Sequence, residues 1–156
     1  MKYKSFEHMN CSVAQALTIL GERWTLLIIR DAMFGAKRFS QFERSLGIAR
    51  NILTARLNML VEEGLMEKRP SAETNHTEYV LTQAGLDLEP TLLAMTHWGD
   101  KYRPNPDGAR LIFKDRETGE PIQPIHAITE SGKSLDPGDL TAEVGPGGSA
   151  PLKPSA

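Results

Sequence analysis

The stretch from Ala49 to Thr82, ARNILTARLNMLVEEGLMEKRPSAETNHTEYVLT, decides the fold. Residues 50–63 predict a helix that stops at Gly64. Leu53, Leu57 and Leu60 recur at three- and four-residue steps and share one stripe. Asn51, Ala55 and Asn58 point the opposite way, with Thr54 on the flank. A solvated helix face normally carries Glu and Lys. This one carries short or amide-bearing residues, which suit base edges, because an amide bonds adenine bidentately and small side chains permit close approach. Taken alone, such a face also reads as merely polar. The period then changes. Residues 65–69 read as a short strand, 70–76 as a polar turn holding Ser71, Thr74 and Asn75, and 77–81 as a returning strand.

Upstream, two capping boxes are predicted, one at Ser12 with Gln15 and one at Ser40 with Glu43. The first opens a helix ending at Gly21, the second a short helix ending at Gly47. Between them, residues 24–34 are apolar almost all round, which predicts a buried central helix stopped by Gly35. Helix, helix, hairpin is the winged helix-turn-helix order, and Arg69 and His76 near the base of the wing, with Asn75 in its turn, suit a DNA-backbone or minor-groove contact. Downstream, Thr82 is a plausible N-cap for a long helix from residue 83 to about 103, with a kink or break at Pro90. Leu88, Leu92, Met95, Trp98 and Tyr102 form its apolar stripe. The stripe either packs on the domain's own core or meets a second subunit; a small domain favours the second.

The fold class expected is therefore mainly α with a small β-wing (α+β): a winged helix-turn-helix domain with a long dimerisation helix, a C-terminal β-hairpin extension and a disordered tail. The boundaries expected are 8–103, 104–133 and 134–156, because Gly and Pro are sparse before residue 104 and the last stretch lacks aromatic residues. The chain's 156 residues hold 18 Lys and Arg against 20 Asp and Glu, a net charge of −2, which excludes a uniformly basic protein. The charge is uneven: residues 37–56 hold Lys37, Arg38, Arg44, Arg50 and Arg56 against Glu43, a local +4. A polyanion-binding surface belongs there. The single cysteine, Cys11, excludes an internal disulfide and a Cys-rich metal site, so no metal or cofactor is expected. The polar start is no signal peptide, no apolar run spans a bilayer, and a reducing cytoplasm is the default compartment. His8, His76, His97 and His126 are scattered and no catalytic motif is present, which argues against an enzyme. The alternative function is a winged-helix module that binds protein without sequence-specific DNA binding, which the acidic overall charge favours slightly and the +4 segment opposes.

Several segments together resemble the HxlR-type winged-helix regulators, relatives of the MarR group, over roughly residues 8–103. They are Cys11-Ser12-Val13-Ala14, Leu20-Gly21-Glu22-Arg23-Trp24, Arg38-Phe39-Ser40-Gln41-Phe42, Leu53-Thr54-Ala55-Arg56-Leu57, Glu63-Gly64-Leu65 and Tyr79-Val80-Leu81-Thr82-Gln83-Ala84-Gly85. The resemblance implies a homodimeric, cytoplasmic bacterial transcription regulator that binds palindromic operator DNA and answers a small-molecule or oxidant effector. It makes residues 50–63 the recognition helix. Arg50 stands where the family usually has proline, so the usual cap is missing and an arginine reaches toward phosphate or guanine. Thr54 and Arg56 fall on the family's Ser/Thr-x-Arg positions, with Arg56 near enough to the buried stripe to hold a carboxylate or a phosphate instead of a base. Ser40 and Gln41 open the preceding helix, and Arg38 adds charge beside them. The candidate DNA contacts are thus Arg38, Ser40, Gln41, Arg50, Asn51, Thr54, Ala55, Arg56, Asn58, Arg69, Asn75 and His76.

Cys11 occupies the position of the family's N-terminal cysteine, which makes it a candidate redox or electrophile sensor, with Lys2 and Lys4 nearby; the other reading is a small buried hydrophobe. Without a second cysteine, its oxidation would be intersubunit, to a small thiol, or replaced by alkylation. Residues 109–114 and 121–129 read as strands around turns at 116–120 and 130–133. They resemble the zinc-ribbon-like extension of longer family members, with Thr118 and Ser131 where thiolates would be needed, so a metal-free, degenerate version is expected.

Overall fold

A computed structural model describes residues 5–148. Lys2, Lys4 and residues 149–156 of the expected tail lie outside the described residues. The chain divides into two compact units, one reaching Asp87 and including the described residues from Ala142, the other running from Leu88 to Thr141.

The first unit is the winged helix-turn-helix. Its elements are α1 (Ser12–Leu20), α2 (Thr25–Met33), α3 (Phe39–Leu46), α4 (Arg50–Glu62), β1 (Met66–Pro70), β2 (Thr77–Leu81) and α5 (Gln83–Leu86). Ile28, Ile29, Phe42, Leu53, Leu57, Leu60 and Met66 are essentially fully buried and form its core. The α4 leucine stripe supplies three of them, as its period requires. Asp31 on α2 is buried too, and its carboxylate is held by the neighbouring Arg30 at 2.7 Å. At the end of α2, Phe34 is exposed rather than part of the buried helix face.

β1 and β2 pair antiparallel with Met66 opposite Leu81 and Pro70 opposite Thr77. The Tyr79 N–H donates to the Lys37 carbonyl at 2.7 Å, so the loop before α3 is tied to the wing. Thr82 locks the wing's far end. Its hydroxyl donates to the Gly64 carbonyl at 2.6 Å and accepts the Gly85 N–H at 3.3 Å. Gly85 has to be glycine, because a Cβ there would run into the Leu65 carbonyl oxygen and lie 2.8 Å from Leu81 Cδ2. Gly47 closes α3 in the left-handed region at φ 59°, which glycine enters at little cost.

Two helix starts differ from the sequence expectation. Ser12 is the first helical residue and Cys11 the N-cap, with no side-chain cap. Gln15 instead turns back onto the preceding loop, its Nε2 donating to the Met9 carbonyl at 2.8 Å and that of Glu7 at 3.2 Å. The box expected at Ser40 with Glu43 forms two residues earlier. Gln41 Oε1 accepts the backbone N–H groups of Lys37 and Arg38, both at 2.8 Å, and Arg38 is the N-cap. Gln41 holds the third helical position in the observed register and Glu43 in the expected one, and both residue types suit a capping box, so the pattern alone left the start ambiguous.

The second unit opens with α6 (Glu89–Tyr102). The long helix expected from residue 83 is therefore two helices, broken at Asp87 and Leu88, with Pro90 in the first turn of α6, where its missing N–H has no partner to lose. Beyond α6, where the sequence predicts a hairpin of continuous strands, pairing is limited to one bridge at each turn, Lys114 with Pro121 and Ile128 with Ser134. Pro121 and Pro124 remove ladder donors from the second arm. The first turn is closed by Asp115, whose carboxylate accepts the N–H groups of Glu117 and Thr118 and the Thr118 hydroxyl at 2.7–3.0 Å. These bonds hold its pKa below the ordinary aspartate value, the Thr118 N–H contributing most. The described part of the expected tail, 134–148, holds turns but no helix or strand beyond the bridge at Ser134.

Candidate nucleic-acid interface

The outward face of α4 is built by default. With Leu53, Leu57 and Leu60 turned into the core, Asn51, Thr54 and Ala55 stand exposed on the other side. No side chain caps α4 at Ala49, so the exposed Arg50 carries the start of the helix. The Thr54 hydroxyl donates to the Arg50 carbonyl at 2.9 Å. Asn58, lower on the helix and half-buried, accepts Lys68 Nζ from the wing at 3.1 Å. Ile52 is exposed on the same flank, a position the polar pattern passed over.

The cations divide into tethered and free. Arg56 Nη2 lies 2.6 Å from Glu22 Oε2, with only 24% of its side chain exposed, so it holds a carboxylate from the loop before α2. This is one of the two roles its position near the leucine stripe suggested. Arg50 is 75% exposed, sits 4.9 Å above the Phe39 ring and pairs loosely with Glu43 at 3.4 Å. A pair that open and that solvated contributes little stability, so Arg50 remains available to another anion. Lys37, Arg38 and Arg44 make no ion pair among the described residues. Lys37 and Arg44 belong to the +4 segment but were not singled out, because segment charge alone does not say which members keep their charge unpaired.

The fold gathers residues that are far apart in sequence. Arg38, Ser40, Glu43, Arg50, His76 and Tyr79 line one depression of about 380 Å³ between α3, the start of α4 and the wing. Arg38, Ser40, Arg50 and His76 thus come together, three of them basic or titratable. Gln41 is beside them, but its side-chain oxygen is used for capping. Arg69 is paired with Glu67 along its own strand, and Asn75 is exposed in the wing turn; neither lines the depression. Lys68 stacks over Tyr79 at 5.7 Å and is the wing residue the sequence reading missed; an alternating strand gave no sign that it would reach Asn58.

Cys11 is exposed at the start of α1. On α6, no residue is buried, and Met95, Trp98 and Tyr102 are each more than half exposed, while Leu88 and Leu92 are half-buried. Among the described residues, no group of three His, Cys, Asp or Glu could hold a metal, and no helix is long and apolar enough to cross a membrane.

Residues 19–107 match the model of the HxlR-like helix-turn-helix family. The HTH-type transcriptional regulator Rv3095 of Mycobacterium tuberculosis is 43% identical over 145 residues, 92% of each chain. The crystal structure of the transcription factor PA1607 superposes with a TM-score of 0.82 at 38% identity, covering 90% of this chain and 99% of that one. The reduced form of the regulator YodB from Bacillus subtilis superposes with a TM-score of 0.52 at 32% identity, covering 60% of this chain and 95% of YodB, which is also known in a quinone-bound form.

Proposed function

The chain belongs to the HxlR-like helix-turn-helix family of transcriptional regulators, and from that premise we propose that it binds a palindromic double-stranded DNA operator as a homodimer. The observation that carries this reading is the outward face of α4. Asn51, Thr54 and Ala55 are short, exposed and opposite a fully buried leucine stripe, with Arg50 at the helix start. In this proposal α4 enters the major groove, where Asn51 reads a base edge and Arg50 reaches guanine or phosphate. Arg38, Ser40 and His76 around the depression beside Arg50 grip the backbone, as do Lys37 and Arg44, and Asn75 and Arg69 on the wing meet the flanking phosphates or the minor groove. Thr54, Ala55 and Asn58 let the helix approach closely, Gln41 positions the first turn of α3, and Arg56 steadies α4 from behind through Glu22.

Two such helices about 34 Å apart read one helical turn of a palindrome. The stripe of Leu88, Leu92, Met95, Trp98 and Tyr102 is the proposed dimer contact. Cys11, exposed at the N-cap of α1, is the proposed point of attack for a quinone or another electrophile, through its sulfur alone.

The test is fluorescence anisotropy with DNA from upstream of the protein's own gene, across a salt series. Binding at two protomers per site that weakens steeply with salt, and that Arg50→Ala and Asn51→Ala each weaken, is the expected result. Binding no tighter than to random DNA, across genomic fragments as well as the upstream region, would overturn it. Added quinone is expected to release wild type and not Cys11→Ser; equal release of both refutes the sensor role.

A further inference from the structure

The unit from Leu88 to Thr141 is built inside out. Not one of its residues is buried. Its large apolar side chains face solvent instead: Met95, Trp98 and Tyr102 on α6, and Ile112, Ile125 and Ile128 beyond it, Ile112 at 68% and Ile128 at 60% exposure. Two polar contacts tie the extension to α6. Arg110 pairs with Asp100 at 2.7 Å, and the Ile125 N–H donates to His97 Nδ1 at 3.4 Å. Exposed polar contacts of this kind add little stability, and a segment that leaves about half of its apolar surface in water gains little hydrophobic stabilisation from folding.

We propose that the extension, residues 109–135, is the second half of the dimer surface that begins on α6, and that its occupant is a second copy of this chain. The proposal rests on the homodimer reading above and adds a new element to it. Three observations favour a second copy. First, the apolar stripe of α6 runs onto the extension through Ile125. Ile125 forms a wall of the same open groove, about 580 Å³, as Pro90, Ala94, Met95 and Trp98, so whatever covers the helix stripe also covers the extension. Second, the size fits. Eight exposed large apolar residues lie between Met95 and Ile128, and with about half of each side chain open they offer on the order of 800 Å² per protomer, the contribution each partner makes to a standard interface. Apart from Arg110, which is paired with Asp100, the charged residues of the extension sit at its two turns, 114–120 and 130–133, and leave the arms between them to apolar and polar uncharged residues. Third, the extension is an addition to the regulator fold. YodB is matched over nearly its whole length by 60% of this chain, whereas PA1607 is matched by 90%. A module added next to the dimerisation helix, on the same face, enlarges a self-complementary contact without a new partner.

The experiment is sedimentation equilibrium on the full chain and three variants, with circular dichroism to check folding. Trp98→Glu probes the helix half; Ile112→Glu and Ile128→Glu probe the extension half. All three positions are exposed in the protomer, so the secondary structure is expected to persist. The expected result is a dimer whose dissociation constant rises roughly tenfold or more in every variant, the scale of losing an apolar anchor. A dimer weakened by Trp98→Glu but unchanged by both extension variants overturns this inference and leaves the homodimer reading standing. A monomeric wild type overturns both. Hydrogen exchange on the wild type gives an answer even where a variant fails to fold: protection of the amides in 111–128 is expected to rise with protein concentration together with that of α6. Protection that rises in α6 alone refutes the extension's role.

Discussion

The two units of the molecule treat apolar side chains in opposite ways. In the helix-turn-helix unit, Phe42, Leu53, Leu57 and Leu60 turn inward and reach zero exposure, leaving Arg50, Asn51, Thr54 and Ala55 on the outer side of α4. In the unit from Leu88 to Thr141, nothing reaches burial, and Trp98, Ile112 and Ile128 face out. The first unit is stabilised by its own core and has its surface free for another molecule. The second has put its hydrophobic surface where only another molecule can remove it from water. The contrast teaches that compactness and self-sufficiency are separate properties: the second unit has defined turns and bridges but no core to make them stable alone.

The largest effect that sharpens this contrast is Leu57→Ala, which empties a fully buried site in the first unit and is expected to cost about 2–5 kcal/mol in urea unfolding. Ile128→Ala, measured below the dimer dissociation constant, is expected to stay within about 0.5 kcal/mol of wild type. Equal costs would break the comparison. Gly85→Ala comes next, at about 1–3 kcal/mol, because its Cβ would be forced against the Leu65 carbonyl and Leu81; an unchanged Tm would mean that the wing and the turn after α4 are not locked as described. Arg50→Ala and Asn51→Ala are each expected to cost about 1–3 kcal/mol in operator affinity with stability unchanged, the loss in Asn51→Ala being confined to one base position. Arg56→Lys separates a structural arginine from a DNA contact. It is expected to lower stability by under about 1 kcal/mol and leave the salt slope of DNA binding alone. A slope smaller by about one would place Arg56 on a phosphate.

The smallest effect is a pH dependence. The folded pKa of Asp115 is depressed, so its turn bonds are fully present above the unfolded aspartate value and are lost as pH falls through the lower folded one. The Asp115 carboxyl carbon should titrate below the ordinary aspartate midpoint, with the Thr118 amide losing protection over the same range. A midpoint at the ordinary value would refute the turn's account.

Where side-chain period carried the information, the sequence was readable. The α4 stripe, the alternation of the wing, and the glycines after α3 and α4 give elements within a residue or two of those observed. Helix starts were less readable, since Gln41 caps by pairing with Arg38 and Lys37 where Ser40 and Glu43 offered an equally good box. Of the candidate site, the outward set on α4 followed from its inward set. The gathering of Arg38, Ser40, Arg50 and His76 around one depression did not, because it depends on where the wing is anchored, by the Tyr79 to Lys37 bond and the Thr82 lock.

The sequence by itself determined that α4 is a helix and which of its faces is polar, where the positive charge concentrates, and that Cys11 has no disulfide partner within the chain. Those properties are local or additive, and a chain carries them unfolded as well as folded. Only the tertiary structure decided that Arg56 spends its charge on Glu22, 34 residues away, while Arg50 stays open to solvent. It alone decided that Met95, Trp98 and Tyr102 of the α6 stripe stay more than half exposed within the unit. Both outcomes depend on which distant groups meet, and pairing across such separations is set by the packing of the whole unit, not by any period along the chain.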